Sequence, residues 1–182
     1  MKTLHAIFLC EVLAGLPASN AVEDPSAYTS PDGSVTIRNV GNTAVPDHHF
    51  QIVTRSGDVL LASDKQLGLE SGSFAEEISW SPDSHYVAFS VRTSGPYIRD
   101  TFVYSTRSKR LTRVPTEDHD SQTCPVRWYD AHTLIVQTQS SFGGKATDEK
   151  GLRSYHYRRT IRLSENPLRL DTLYTSQRSH SK

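Results

Sequence analysis

The ten residues 80–89, WSPDSHYVAF, place an aromatic residue ahead of a Ser-Pro-Asp turn and an alternating apolar run after it. Pro82 sets φ for the turn, and the Asp83 side chain can hydrogen-bond the backbone just beyond it. In the run that follows, Val87, Phe89 and Val91 share one face while Tyr86, Ala88 and Ser90 share the other. A period of two predicts a strand. The same alternation occurs at 50–53, 59–62, 101–104 and 134–136, and turn-forming residues separate the runs: Pro31-Asp32-Gly33, Ser56-Gly57-Asp58, Ser94-Gly95-Pro96 and Asp130-Ala131-His132. Helical signals are nearly absent after residue 21. Many short strands at this spacing predict an all-β sandwich, barrel or propeller.

A repeat separates these alternatives. Ser30-Pro31-Asp32-Gly33 precedes a strand near Val35, Ser81-Pro82-Asp83-Ser84 precedes the run at Tyr86, and Trp128-Tyr129-Asp130 precedes one at Leu134. The turn aspartates Asp32, Asp83 and Asp130 recur at about fifty residues, the length of a propeller blade. Each turn leads into a strand and then a second hairpin, at 50–62, 102–114 and 157–174. Trp80, Ser81, Pro82, Asp83, Ala88 and Phe89 resemble the W-S-P-D-G-x-x-[ILV]-A-[FY] core of the WD40-like repeat in TolB-type periplasmic β-propellers, with Ser84 in place of the glycine. The first unit matches that core at 30–33, and the third keeps Trp128 and Asp130. The resemblance spans residues 28–174. It implies that Ile78 and Trp80 lie on the innermost strand of a blade and that Val87 and Phe89 pack between blades. The expected fold is therefore all-β, an incomplete β-propeller of about three four-stranded antiparallel blade-like units. Closed propellers typically have four to eight blades, so the edges of three need covering, twisting or pairing. A homodimer of half-propellers is one way to do so.

Twenty basic and twenty acidic residues balance in a chain of 182. Neutrality gives no reason to expect nucleic acid as a partner. Lys2, the short apolar runs at 6–10 and 12–16, and Ser19-Asn20-Ala21 read as an export signal cleaved near Ala21, although Glu11 interrupts the apolar run. The apolar stretch is too short to span a bilayer. The expected organisation is a signal peptide at 1–21 and a single domain at 22–182, located in the periplasm. Cleavage removes Cys10 and leaves Cys124 alone, which excludes an internal disulfide.

Chemistry-bearing patterns are sparse. Asp118-His119-Asp120 could ligate a metal or form a His–carboxylate pair, but it sits in the polar run 115–123, which reads as a connecting loop. His48 and His49 point to opposite faces of a strand. Cys124 with His119 or His132 has no oxyanion motif beside it, and Pro125 follows directly. The run SYHYRRTIR at 154–162 interleaves aromatic and basic residues, a pattern that can bind single strands, but here it reads as an outer strand. There is no G-x-S-x-G, H-E-x-x-H or phosphate-binding loop. The sequence predicts a protein without enzymatic activity, without cofactors and without a metal.

Blade logic places the links at 41–47, 65–73, 93–98, 116–123 and 140–153 on one rim. They carry the expected partner-binding residues Ser94, Gly95, Tyr97, His119, Ser121, Ser140, Ser141, Phe142, Gly143, Gly144 and Lys145. Paired glycines allow close approach to another surface, and aromatic residues anchor by burial. The expected function is binding to a protein. In its most concrete form the chain is an inhibitor that plugs the active site of a cell-wall-degrading effector of the peptidoglycan amidase type. It is similar in size and compartment to the periplasmic immunity proteins of type VI secretion. The alternative is a TolB-like scaffold module of the envelope.

Overall fold

The Ser-x-Asp turns of the first two repeats close the same set of hydrogen bonds. The Ser30 hydroxyl donates to Asp32 Oδ1 at 2.7 Å and accepts from the Val35 N–H at 3.1 Å. The Ser81 hydroxyl donates to Asp83 Oδ1 at 2.7 Å and accepts from the Tyr86 N–H at 2.9 Å. Behind each aspartate the backbone turns left-handed, at Gly33 with φ 70° and at Ser84 with φ 62°. In the third repeat Asp130 alone keeps the role, accepting from the His132 N–H at 2.7 Å and the Thr133 hydroxyl at 3.0 Å. These bonds satisfy the turn backbone internally and start each following strand in a fixed register.

The structure, a computed structural model, describes residues 27–41, 49–63, 74–94, 98–116, 121–140, 155–165, 168–177 and 179–180. Its strands form three antiparallel meanders. The first is β1 (Ala27–Thr29), β2 (Val35–Val40), β3 (His49–Thr54) and β4 (Val59–Ala62), hydrogen-bonded in chain order. The second is β5 (Ala75–Trp80), β6 (Tyr86–Ser94), β7 (Ile98–Ser105) and β8 (Arg110–Arg113), again in chain order. The third is β9 (Ser121–Asp130), β10 (Thr133–Ser140), β11 (Tyr155–Ser164) and β12 (Arg169–Thr175), with β13 (Ser179–His180) pairing β11 beyond the end of β12. The fold is all-β, with three four-stranded blade-like units. The proposed export signal at 1–21 lies outside the described residues.

Alternation assigns each face of the middle sheet to a different neighbour. Val87, Phe89, Val91, Phe102 and Tyr104 pack against Val35, Ile37, Phe50, Ile52 and Leu61 of the first sheet. Tyr86, Ala88 and Val103, with Val114 just after β8, pack against Leu134, Val136, Ile161 and Leu163 of the third. Phe89 meets Phe50 edge-on, with ring centroids 5.1 Å apart. Trp128 stacks on Tyr86 at 6.0 Å and donates its indole N–H to the Ser79 carbonyl at 3.0 Å, tying the innermost strands β5 and β9 together. The resemblance placed Val87 and Phe89 between blades, and both are fully buried there. Trp80 is only half-buried against the first of these cores.

The outward face of the third sheet has a different character. Arg127, Gln137, Gln139, His156, Arg158, Arg162 and Arg169 lie on it, opposite the face that buries Leu134, Val136, Ile161 and Leu163. A terminal repeat with a polar outer face keeps a stack of repeats soluble. The outward face of the first sheet is mixed: Arg38 donates to Gln51 Oε1 at 2.8 Å, while Val53 and Ala62 are buried.

Candidate protein-binding rim

In the second and third sheets, the links β6–β7, β8–β9 and β10–β11 leave from one end of the stack. Ser94 pairs with Ile98 at the tip of the β6–β7 hairpin, and Ser121 pairs with Ser140 where β9 starts and β10 ends. The Thr101 N–H donates to Thr123 Oγ1 at 2.7 Å and holds these two ends together. The first sheet joins the same rim: the Asn39 side chain donates to the Ala75 carbonyl and accepts from the Ala75 N–H, each at 3.0 Å. Rigid strand ends thus carry the links, the usual way a scaffold presents binding segments.

Of the expected partner-binding residues, Ser94, Ser121 and Ser140 are placed. Ser94 and Ser140 are strand-terminal. Ser121 was assigned to a loop at 116–123, but β9 already begins there and Ser121 is buried. Strand pairing extends to the ends of β9 and β10 because the Thr123–Thr138 and Ser121–Ser140 pairs continue the ladder. Gly95, Tyr97, His119, Ser141, Phe142, Gly143, Gly144 and Lys145 lie outside the described residues, as does the Asp118-His119-Asp120 motif. Among the described residues, no group of three or more His, Cys, Asp or Glu side chains is arranged to hold a metal ion.

A charged cluster that the sequence reading missed lies beside the rim. Arg99, next to the start of β7, contacts Glu76 at 3.1 Å and Glu77 at 3.3 Å. Glu77 also accepts from the Ser90 hydroxyl at 2.6 Å. Glu77 has φ 52°, at an irregularity in the β5–β6 ladder. No propensity flags a glutamate for that conformation, since glycine, asparagine and aspartate are its usual occupants. The bulge re-aims the side chain toward Arg99. Nearby, burial pushes the Cys124 thiol up to about 11, with the Glu77 carboxylate adding to the shift and Arg99 opposing it. A thiol held so far above neutrality is protonated at pH 7 and a poor nucleophile. On the outer side of the third sheet, Gln137, Gln139, His156, Arg158, Ser176 and Gln177 line an open depression of about 360 Å³.

No protein-family model matches the chain, and no curated protein matches it. Among solved structures, the chain is similar to hydrazine synthase of Kuenenia stuttgartiensis at 13% identity and TM-score 0.44, over 80% of this chain and 40% of that one. It is also similar to a protein assigned as a TolB of Agrobacterium tumefaciens at 12% identity and TM-score 0.40, over 84% of this chain and 65% of that one. The chain therefore spans less than two thirds of either structure's length. The three-sheet architecture rests on the strand pairing within this molecule.

Proposed function

We propose that this protein is a non-enzymatic binding module that uses the rim of its blade stack to dock another protein. The observation that carries the reading is that the strand ends flanking the links 95–97, 117–120 and 141–154 lie at one end of a packed β scaffold. Those links carry Tyr97 and Phe142 as aromatic anchors and Gly95, Gly143 and Gly144 for close backbone approach. The Arg99–Glu76–Glu77 cluster supplies charge at the border of the surface, where charged groups set orientation and association rate.

The finer reading is an exported inhibitor whose target is a cell-wall-degrading enzyme, with the chain located in the periplasm. Support comes from the leader-like residues 1–21 and from the chemistry of serines flanked by glycine. A serine hydroxyl can both donate to and accept from a catalytic cysteine or histidine. The scaffold reading is the rival, and the identity of the partner separates the two.

The test begins with capture of the tightest partner by the mature chain, followed by titration calorimetry of Tyr97→Ala, Phe142→Ala and Ser94→Trp. At least one anchor substitution is expected to weaken binding about thirtyfold, equivalent to about 2 kcal/mol, with an unchanged melt. Parent-like binding by all three would remove the rim as the interface.

A further inference from the structure

The seam between the second and third sheets changes character along its length. One end is the apolar cluster of Tyr86, Val103, Leu134 and Ile161. Toward the rim it becomes polar and stays buried: Thr101, Thr123 and Thr138 are fully buried, and Arg159 is 2% exposed. Three hydrogen bonds and the strand register connect these residues across the seam. Arg159 Nη1 donates to the Pro115 carbonyl at 2.6 Å, and the Val114 N–H, one residue earlier, donates to the Thr101 carbonyl at 2.8 Å. The Thr101 N–H donates to Thr123 Oγ1, Thr123 sits opposite Thr138, and Thr138 is diagonal to Arg159 across β10 and β11.

The residues along this seam have hydrogen-bonding capacity left over. Among the described residues, Arg159 Nε and Nη2, Thr101 Oγ1 and Thr138 Oγ1 are all buried without a partner. Asp100 does not serve, because it lies on the other face of β7 and takes Arg113 Nη2 at 2.7 Å. Glu77 is engaged by Ser90 and Arg99. No carboxylate among the described residues pairs with Arg159, and a buried guanidinium without a counter-charge is among the costlier features a fold can carry. The identity of the free atoms is specific. Nε–H and Nη2–H are the two parallel donors on one side of the guanidinium, the fork that fits both oxygens of one carboxylate. Two hydroxyl donors flank the seam.

We propose that this seam is an anion site that takes a carboxylate. Arg159 grips both oxygens through Nε and Nη2, and the Thr101 and Thr138 hydroxyls are the flanking donors. The carboxylate comes either from a small free acid or from an acidic side chain of a docked protein, and both sources offer the same two oxygens. The site is independent of the rim reading, because its ligand can be supplied without any protein partner.

The test is thermal melting of the mature protein at pH 7.5 with sodium acetate against sodium chloride and sodium phosphate, at matched ionic strength. Acetate should raise Tm saturably, by roughly 3–6 °C at about ten times its dissociation constant. Chloride and phosphate should give no saturable rise. Arg159→Met should fold, since an apolar replacement removes the buried charge, and should lose the acetate response. Thr138→Val should fold and weaken the response severalfold. Acetyl-Gly-Asp-Gly-amide, compared with its asparagine counterpart, distinguishes the sources: a response to the aspartate peptide assigns a protein side chain, and a response to acetate alone assigns a free acid. No saturable response in the parent, or an equal response in Arg159→Met, overturns the proposal. A phosphate response equal to that of acetate overturns the assignment to carboxylate.

Discussion

Ser84 concentrates the local physics of this fold in one residue. It stands where the related turn of the first repeat has Gly33, and it adopts the left-handed conformation at φ 62° that glycine accepts without strain. In return its hydroxyl accepts the Asp32 N–H at 3.1 Å, linking the turns of adjacent blades. Ser84→Ala should therefore cost about 1 kcal/mol, because it keeps the strain and loses the bond. Ser84→Gly should be close to neutral, because relief of strain offsets the loss. Paired denaturant titrations measure the difference. The turn aspartates make a second prediction. The Ser30 hydroxyl and the Ser34 N–H and hydroxyl hold Asp32 below the usual carboxylate range, and the His132 N–H does the same for Asp130. For Asp83, partial burial pushes upward and is outweighed by the Ser81 hydroxyl and His85. Folded values below unfolded values mean stability that is complete above about pH 4 and is lost as pH falls through the folded values. Tm should be level from pH 7 to 5 and drop below about pH 4, with a shallower drop in Asp83→Asn. Cys124, pushed up to about 11, should resist iodoacetamide at pH 7.5 in the native state and react readily once unfolded. The roles of Asp83 and Pro82 were legible because their chemistry is local. Ser84's bond to a turn about fifty residues away was not, since only the stacking of blades brings the two together.

At the scale of the element, the innermost strands and the central hairpin carry the packing. Phe89→Ala removes a fully buried ring from between the first two sheets and should cost about 3–5 kcal/mol. For a chain of this size that lowers Tm by about 10 °C, and a fall of only a degree or two would contradict the packing described. The two tryptophans should separate in the same assay. Trp128→Phe loses the bond to the Ser79 carbonyl and should destabilise by about 1 kcal/mol. Trp80→Phe removes a buried indole N–H that has no partner among the described residues and should be neutral or stabilising. Period-two alternation located β3, β4, β6, β7 and β10, because each buries apolar side chains on at least one face. It missed the start of β9, where Ser121 and Thr123 are polar yet buried, and alternation in polarity cannot report burial of polar residues. Arg159 was hidden in the same way: in 154–162 it reads as one more outward base, although its parity aligns it with Tyr157 and Ile161 on the buried face.

Across the whole molecule, the middle sheet is covered on both faces and the third sheet ends the stack with a polar, arginine-bearing face. Ring closure by a second copy through that face would bury Arg158 and Arg162, with Asp171 as the carboxylate opposite Arg162. Desolvating guanidinium groups is unfavourable, and one neighbouring carboxylate for two of them does not offset it, so the isolated protein should sediment as one chain, with 20.3 kDa as the mass of the full sequence. A stable dimer at micromolar concentration would contradict this. The three-blade count was legible from the spacing of Asp32, Asp83 and Asp130, since each aspartate nucleates one turn and one meander. The binding rim was legible only as a set of links. Which groups border it, Glu77 and Arg99 above all, depends on a bulge that no residue preference announces. The central claim is that the rim, rather than a sheet face, meets the partner. Hydrogen–deuterium exchange of the protein with and without its captured partner tests it most directly. Protection is expected in peptides spanning 93–98, 116–121 and 140–155, with 156–164 and 169–175 unchanged. Protection confined to 156–164 and 169–175 would move the interface to the outer face of the third sheet and contradict the account.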